Sequence, residues 1–173
     1  MGRPDLGQDV CTEGWTAQVL SLVRERAPAQ HWSMRIRSLL LSPDRLISYC
    51  PTEGVVLDLA CGQGLLALAA AIARPRCHVI GVDHDPARIE QAKRLARGVP
   101  NVTFLSNDIR VHELYPDAAA IYLIDSLHYF GAAEQSAMLT RCWASLRCGG
   151  QLILREVVRQ MRPAFYWTLL HER

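Results

Sequence analysis

Val55-Val56-Leu57-Asp58-Leu59-Ala60-Cys61-Gly62-Gln63-Gly64-Leu65 is the stretch whose reading decides the fold. A short β-branched and aliphatic run carries an acid near its end, passes through two glycines and opens onto the alanine-rich segment Leu65–Ala73. That order reads as strand, tight loop, helix. Glycines let a backbone approach a ligand closely, and the free amides at a helix start favour negative charge. Asp58 adds a second requirement, because a carboxylate repels phosphate but accepts from a hydroxyl or attracts an ammonium group. The stretch therefore points to a nucleotide-like ligand carrying an amine.

Downstream the same grammar repeats. Arg74-Pro75-Arg76 breaks the helix, and His78-Val79-Ile80-Gly81-Val82-Asp83 is a second apolar strand ending in an acid. Asp85-Pro86 caps a helix with Ile89, Ala92 and Ala96 inward and Gly98 as its stop. Val102–Leu105 is a third strand ending at Ser106-Asn107-Asp108, and Ala118–Ile124 a fourth that finishes on Asp125. Gly131–Leu146 reads as a helix burying Met138, Leu139, Cys142 and Leu146, with Gly149-Gly150 at its stop. Leu152-Ile153-Leu154 then leads a fifth strand through Val158. Near-continuous apolar strands separated by helices predict an α/β, doubly wound parallel sheet covered on both faces. Ligands of such sheets lie beyond the carboxyl ends of the strands, where Asp58, Asp83, Asp108 and Asp125 are all expected.

Upstream, residues 1–54 read as a helical preface to the same domain, with 55–173 as the core. Residues 1–12 are expected to be a loose terminus. Ala17, Leu20 and Val23 mark a helix that ends before Pro28, and Trp32, Ile36, Leu39 and Leu40 form one face of a second, over Gln30–Leu41. Ser42-Pro43 reads as an N-cap opening a short third helix. At 173 residues there is room for one domain with a real core. A net charge of +2 carried by scattered arginines does not call for nucleic acid. The densest group, Arg24, Arg26, Arg35, Arg37 and Arg45, reads as a solvated helix face. The six cysteines show no C-x-x-C pair, which suits free thiols in a reducing cytoplasm. No apolar run approaches the roughly 20 residues of a membrane span.

Two nucleotide readings compete. Gly62-Gln63-Gly64-Leu65-Leu66-Ala67 satisfies the G-x-G-x-x-A dinucleotide fingerprint, with Asp83 at a suitable distance for a ribose. However, Asp58-Leu59-Ala60-Cys61 separates these glycines from the strand, and a dinucleotide site has no use for Asn107-Asp108. The stretch Asp58–Gly64 instead resembles the first motif of class I S-adenosylmethionine-dependent methyltransferases. Val79–Pro86, Asn101–Ile109, Ala120–Tyr129 and Leu146–Glu156 resemble the segments that follow it. The resemblance implies a Rossmann-like sheet in the order 3-2-1-4-5 and S-adenosyl-L-methionine as cofactor. It further implies that Asp58 and the backbone around Ala60, Cys61, Gly62 and Gly64 hold the methionine part, Asp58 accepting from its ammonium. Asp83 would take the ribose hydroxyls, and His84 would lie against the adenine. From the Asn107-Asp108 segment, Asp108 would accept from the adenine amino group, with the Ile109 amide on a ring nitrogen. Asp125 would complete the methionine pocket. Ala60 and Cys148 stand where the family commonly has glycine and proline, and Cys61 reads as a packing thiol.

The acceptor is expected to be a small molecule methylated at oxygen. Asp125-Ser126-Leu127-His128-Tyr129-Phe130 resembles the L-H-D-W segment of small-molecule O-methyltransferases at Leu127-His128, which makes His128 the candidate general base. Imidazole titrates near neutrality and suits that task. Arg35, Arg37 and Trp32 are placed to cover the site. The D/N-P-P-Y signature of amine methylation and the Pro-Cys of cytosine methylation are absent, and no metal site is expected. The family's last two strands find no counterpart, so the core is expected to be C-terminally truncated. A helix over Ala164–His171 or a partner subunit would then cover the edge of strand five. That leaves a non-catalytic cofactor-binding or interaction domain as the alternative function, with an NAD-dependent oxidoreductase more distant.

Overall fold

The computed structural model describes residues 14–114 and 116–156. The expected loose terminus at 1–12, the end of strand five at Val157-Val158 and the helix over Ala164–His171 lie outside them. Three helices precede the sheet, α1 (Trp15–Arg26), α2 (His31–Leu41, entered through a 3-10 turn at Pro28–Gln30) and α3 (Pro43–Ile47). Then come β1 (Glu53–Leu59), α4 (Leu65–Ala73), β2 (Arg76–Asp83), α5 (Pro86–Leu95), β3 (Val102–Ser106), β4 (Ala118–Ile124), α6 (Ala132–Ser145) and β5 (Leu146–Arg155). The five strands are all parallel and lie in the order β3-β2-β1-β4-β5. Among the described residues, no helix is long and apolar enough to cross a membrane.

Strand alternation divides the core. Val56, Val79, Ala120 and Tyr122 face a layer with Val19, Val23, Met34, Ile47, the apolar run of α4 and Ile89, Ala92 and Leu95 of α5. Leu57, Leu59, Ile80, Val82, Ile121 and Leu123 face the other layer, with Met138 and Cys142 of α6. α4 is buried almost all round, from Leu65 to Ala71, which explains why its sequence is uniformly apolar rather than amphipathic. The preface is bound to this core by polar ties as well. The Tyr122 hydroxyl donates to the Leu46 carbonyl (3.1 Å), and Arg26 donates to Leu95 and Arg97 carbonyls (2.7 and 2.6 Å) at the end of α5.

Several expectations are corrected. α2 buries Met34 and Ser38, whereas Trp32 and Leu39 are 68% and 74% exposed. The apolar stripe counted on that helix faces mostly outward, while Arg37 of the same helix reaches the cavity at the sheet edge. In α1, Ala17 is exposed and Val19 takes the core position. Ser42 does not cap α3 with its side chain; it closes α2 in a left-handed conformation (φ 50°). Most consequentially, Gly149-Gly150 is not the stop of α6. β5 begins at Leu146, pairs Leu146 with Ala118, and then bulges so that Gln151 pairs with Ala120, with Gly149 at a φ of 74°.

Candidate functional site

The carboxyl ends of the strands frame a cavity of about 520 Å³, within the range of small-molecule sites. Its wall contains Ala60, Asp83, His84, Asp85 and Arg88 from the first two strand ends, and Asp108, Ile109 and Arg110 after β3. Ile124, Asp125, Ser126, Tyr129 and Phe130 follow from β4, with Arg37 from α2 above. Thus Ala60, Asp83, His84, Asp108, Ile109 and Asp125 line one cavity. Asp58, Cys61, Gly62, Gly64 and Asn107 are not part of the wall, and each has a physical reason.

Asp58 lies between Leu57 and Leu59, which face α6, so its own side chain points under α4. There it is 3% exposed and accepts the Ala67 amide in the first turn of that helix, while Oδ2 has no partner. Burial pushes its pKa up to about 7, with Asp83 adding to the rise and the Ala67 bond opposing it. Cys61 packs against Gly81, and burial beside Asp58 and Asp83 holds its thiol well above the usual range. Gly64 is required for packing: a Cβ there would stand 2.6 Å from the Phe104 ring. Gly62 acts through its amide, which donates to Asp83 Oδ2 (2.8 Å) and so ties the glycine loop to β2. Asn107 accepts the Asp108 amide on its Oδ1 (2.9 Å), and its Nδ2 lies 3.0 Å from His112 Nδ1.

The residues that do form the wall are held in place. Asp83, 3% exposed, also accepts the Asp85 amide on Oδ1 (2.9 Å), with His84 Nδ1 3.5 Å from the same oxygen, which leaves Oδ2 with the less engaged lone pair. Ala60 adopts a φ of 60°, a left-handed conformation that explains why glycine is commoner there. Asp108 is gripped by Arg110, Nε and Nη2 reaching both its oxygens at 2.5–3.0 Å, which lowers its pKa. Along the same loop the Asn107, Asp108, Arg110, Val111 and His112 amides all have acceptors. Among the described residues, the Ile109 N–H alone in this run has none. Asp125 sits at a φ of 51°, buried enough that its pKa is raised. Its Oδ2 pairs with Arg155 Nη2 (3.1 Å), while its buried Oδ1 has no partner.

His128 is not in the cavity wall, but Tyr129 beside it is, with ring centroids 4.1 Å apart. Glu156, at the end of β5, is the residue the sequence reading overlooked. Its Oε1 accepts the Ser126 and Leu127 amides (2.9 and 2.6 Å) and its Oε2 lies 2.9 Å from His128 Nδ1. Arg155 beside it joins Asp125 to the Leu41 carbonyl (2.7 Å) at the end of α2. The available signal was positional, since Arg155-Glu156 stands at the end of the fifth strand, as Asp125 does at the fourth.

Comparison with known proteins agrees with this architecture. Residues 56–150 match the family described as methyltransferase domain. The carboxy-S-adenosyl-L-methionine synthase of Aliivibrio fischeri is 34% identical over 113 residues, 62% of this chain and 46% of that protein. The chain therefore spans about half the length of the curated relatives it matches. Among solved structures, the PH0226 protein of Pyrococcus horikoshii superposes with a TM-score of 0.58 at 28% identity, over 68% of this chain and 55% of that one. Coclaurine N-methyltransferase bound to N-methylheliamine and SAH shares the fold, with a TM-score of 0.55 at 24% identity over 78% of this chain and 34% of that one. With the family match covering more than half of its 173 residues on a sheet ordered 3-2-1-4-5, the chain belongs to the class I S-adenosylmethionine-dependent methyltransferases.

Proposed function

We propose that this chain binds S-adenosylmethionine along the carboxyl edge of its sheet and transfers the methyl group to an oxygen of a small-molecule acceptor. The donor set in the wall fits the cofactor. Asp83 retains lone pairs for ribose hydroxyls, His84 lies at the cavity's edge for the adenine face, and the Ile109 N–H suits a ring nitrogen. Asp108 would accept from the adenine amino group once Arg110 gives up part of its grip. The ammonium goes to Asp125 Oδ1, a buried acceptor without a partner in the cavity wall, and not to Asp58, which faces α4. Arg37, whose guanidinium stands 3.7 Å from where a Gly62 Cβ would be, is the candidate for the methionine carboxylate.

When bound, the cofactor supplies a methyl group on a positively charged sulfur, so the protein's tasks are positioning and, for an oxygen acceptor, removal of a proton. The observation that carries the oxygen reading is the 2.9 Å contact between His128 Nδ1 and Glu156. A carboxylate on Nδ1 favours the tautomer that leaves Nε2 as the acceptor of a proton. Because Glu156 also fixes the Ser126 and Leu127 amides, it sets the imidazole and its supporting turn together. A panel of small phenols with labelled cofactor tests this. His128→Ala and Glu156→Gln should each lower kcat by about 10²-fold or more with little change in cofactor affinity. Unchanged rates would remove His128 from the chemistry.

The relatives' name favours a second reading, in which the product is a carboxylated S-adenosylmethionine and a carboxylic-acid co-substrate supplies the added group. Mass analysis of the nucleoside product separates the two, since only this reading yields a carboxylated cofactor.

A further inference from the structure

Arg141 lies on α6, outside the cavity wall, yet its guanidinium is aimed at the loop that follows β3. Nη1 donates to the Ile109 and Arg110 carbonyls (3.1 and 2.5 Å), and Nη2 donates to the His112 carbonyl. One side chain thus holds three carbonyls within four residues. The same loop is folded on itself by Asp108, whose carbonyl accepts the Val111 and His112 amides (3.1 and 2.8 Å). Arg110 continues the connection to α6 through Glu134 (3.7 Å), which also caps Gly131 N (3.0 Å). The outcome is a turn whose carbonyls are drawn toward α6 while one amide, that of Ile109, is left for a ligand.

From this geometry we infer that Arg141 is the positioning residue of the purine-recognition edge. By fixing the Ile109–His112 carbonyls it holds the turn whose Val111 and His112 amides clamp the Asp108 carbonyl. The Ile109 N–H shares that carbonyl's peptide plane, so its direction is set with it, and so is the place of the Asp108 carboxylate, without Arg141 touching the ligand. Together these two groups read a purine that donates from its 6-position and accepts at N1, which is adenine. A 6-oxo purine presents the reverse pattern at both atoms. A guanidinium fork suits the task because its donors lie in one plane and keep their spacing, whereas a lysine ammonium can satisfy the carbonyls only loosely. The inference rests on the cofactor reading given above.

The test compares S-adenosylhomocysteine with S-inosylhomocysteine, its 6-oxo counterpart, by titration calorimetry on the wild-type chain, Arg141→Lys and Arg141→Ala. The wild type should prefer the adenine ligand. Arg141→Lys should lower adenine-ligand affinity about tenfold, the equivalent of one charge-assisted hydrogen bond, and leave the weaker ligand nearly unchanged. Equal losses for both ligands, or no loss, would overturn the inference, since a general packing defect does not distinguish the two bases. Hydrogen exchange of the 107–112 amides in the unliganded protein gives a second measure. Arg141→Lys should accelerate it at Ile109 and its neighbours, and unchanged exchange would also overturn the inference. If the wild type binds neither nucleoside, the cofactor reading falls while exchange still decides whether Arg141 orders the loop.

Discussion

Asp58 sits one residue before the end of its strand, and that single step decides what it does. Leu57 and Leu59 face α6, so Asp58 faces α4 and spends its carboxylate on a helix amide. The sequence showed four acids at four strand ends but not that one of them was out of phase with the cavity. The alternation of its neighbours carried that information. Its raised pKa, about 7 against an ordinary 3.8, gives a prediction with a definite sign. The native state holds the proton more tightly than the unfolded chain does. Stability from this group should therefore be greatest below about pH 4 and decline as pH climbs toward and through 7. Asp58→Asn keeps an acceptor for Ala67 and removes the charge. Urea unfolding across pH 4.5–8 should show a flatter profile for the variant, with a gain on the order of 4 kcal/mol at pH 8. Parallel profiles for the two proteins would show that Asp58 does not carry this linkage.

At the scale of elements, where most helices begin and end was readable, and what closes them was less so. Asp85-Pro86 caps α5 as its residue types require, the Asp85 side chain accepting the Ala87 and Arg88 amides (2.8 and 3.4 Å). The end of α4 is closed from a distance. Asn101, just before β3, donates from its side-chain nitrogen to the Ala71, Arg74 and Cys77 carbonyls (2.9, 3.2 and 3.0 Å). No local pattern announces a cap that arrives from some 30 residues away. Replacing Asn101 by alanine leaves those carbonyls short of a donor and should cost about 1–3 kcal/mol, seen as a lower denaturant midpoint at constant m. α2 illustrates the same limit. Its apolar spacing was plain, but the side it buries holds Met34 and Ser38, and its distant ties, Arg37 at the cavity and Arg155 on its last carbonyl, left no local mark.

Over the whole molecule, strand order, parallelism and the edge that carries the cavity were all legible, because right-handed crossovers leave few ways to connect such a pattern. What was not legible is the contribution of β5 and α6, since Glu156, Arg155 and Arg141 act through contacts between distant parts of the chain. The cofactor reading predicts a global response. S-adenosylhomocysteine at 100 times its Kd should add about 2.7 kcal/mol and raise Tm by roughly 5–10 °C for a chain of this size. NAD should leave Tm where it is, and a shift by NAD alone would reverse the assignment.

The bulge in β5 carries one last consequence. Between its pairings at Ala118 and Ala120, β4 advances two residues while β5 advances five, an odd surplus of three. The bulge takes up that surplus within residues 147–150, because Leu146 before it and Leu152 after it still face the same layer. Beyond it Gln151–Arg155 pair without interruption with Ala120–Ile124, which brings Arg155 and Glu156 level with Asp125 and Ser126. The placing of those two charged residues is thus fixed by apolar pairs such as Ile121 with Leu152 and Tyr122 with Ile153, and the length of the bulge is free of that duty.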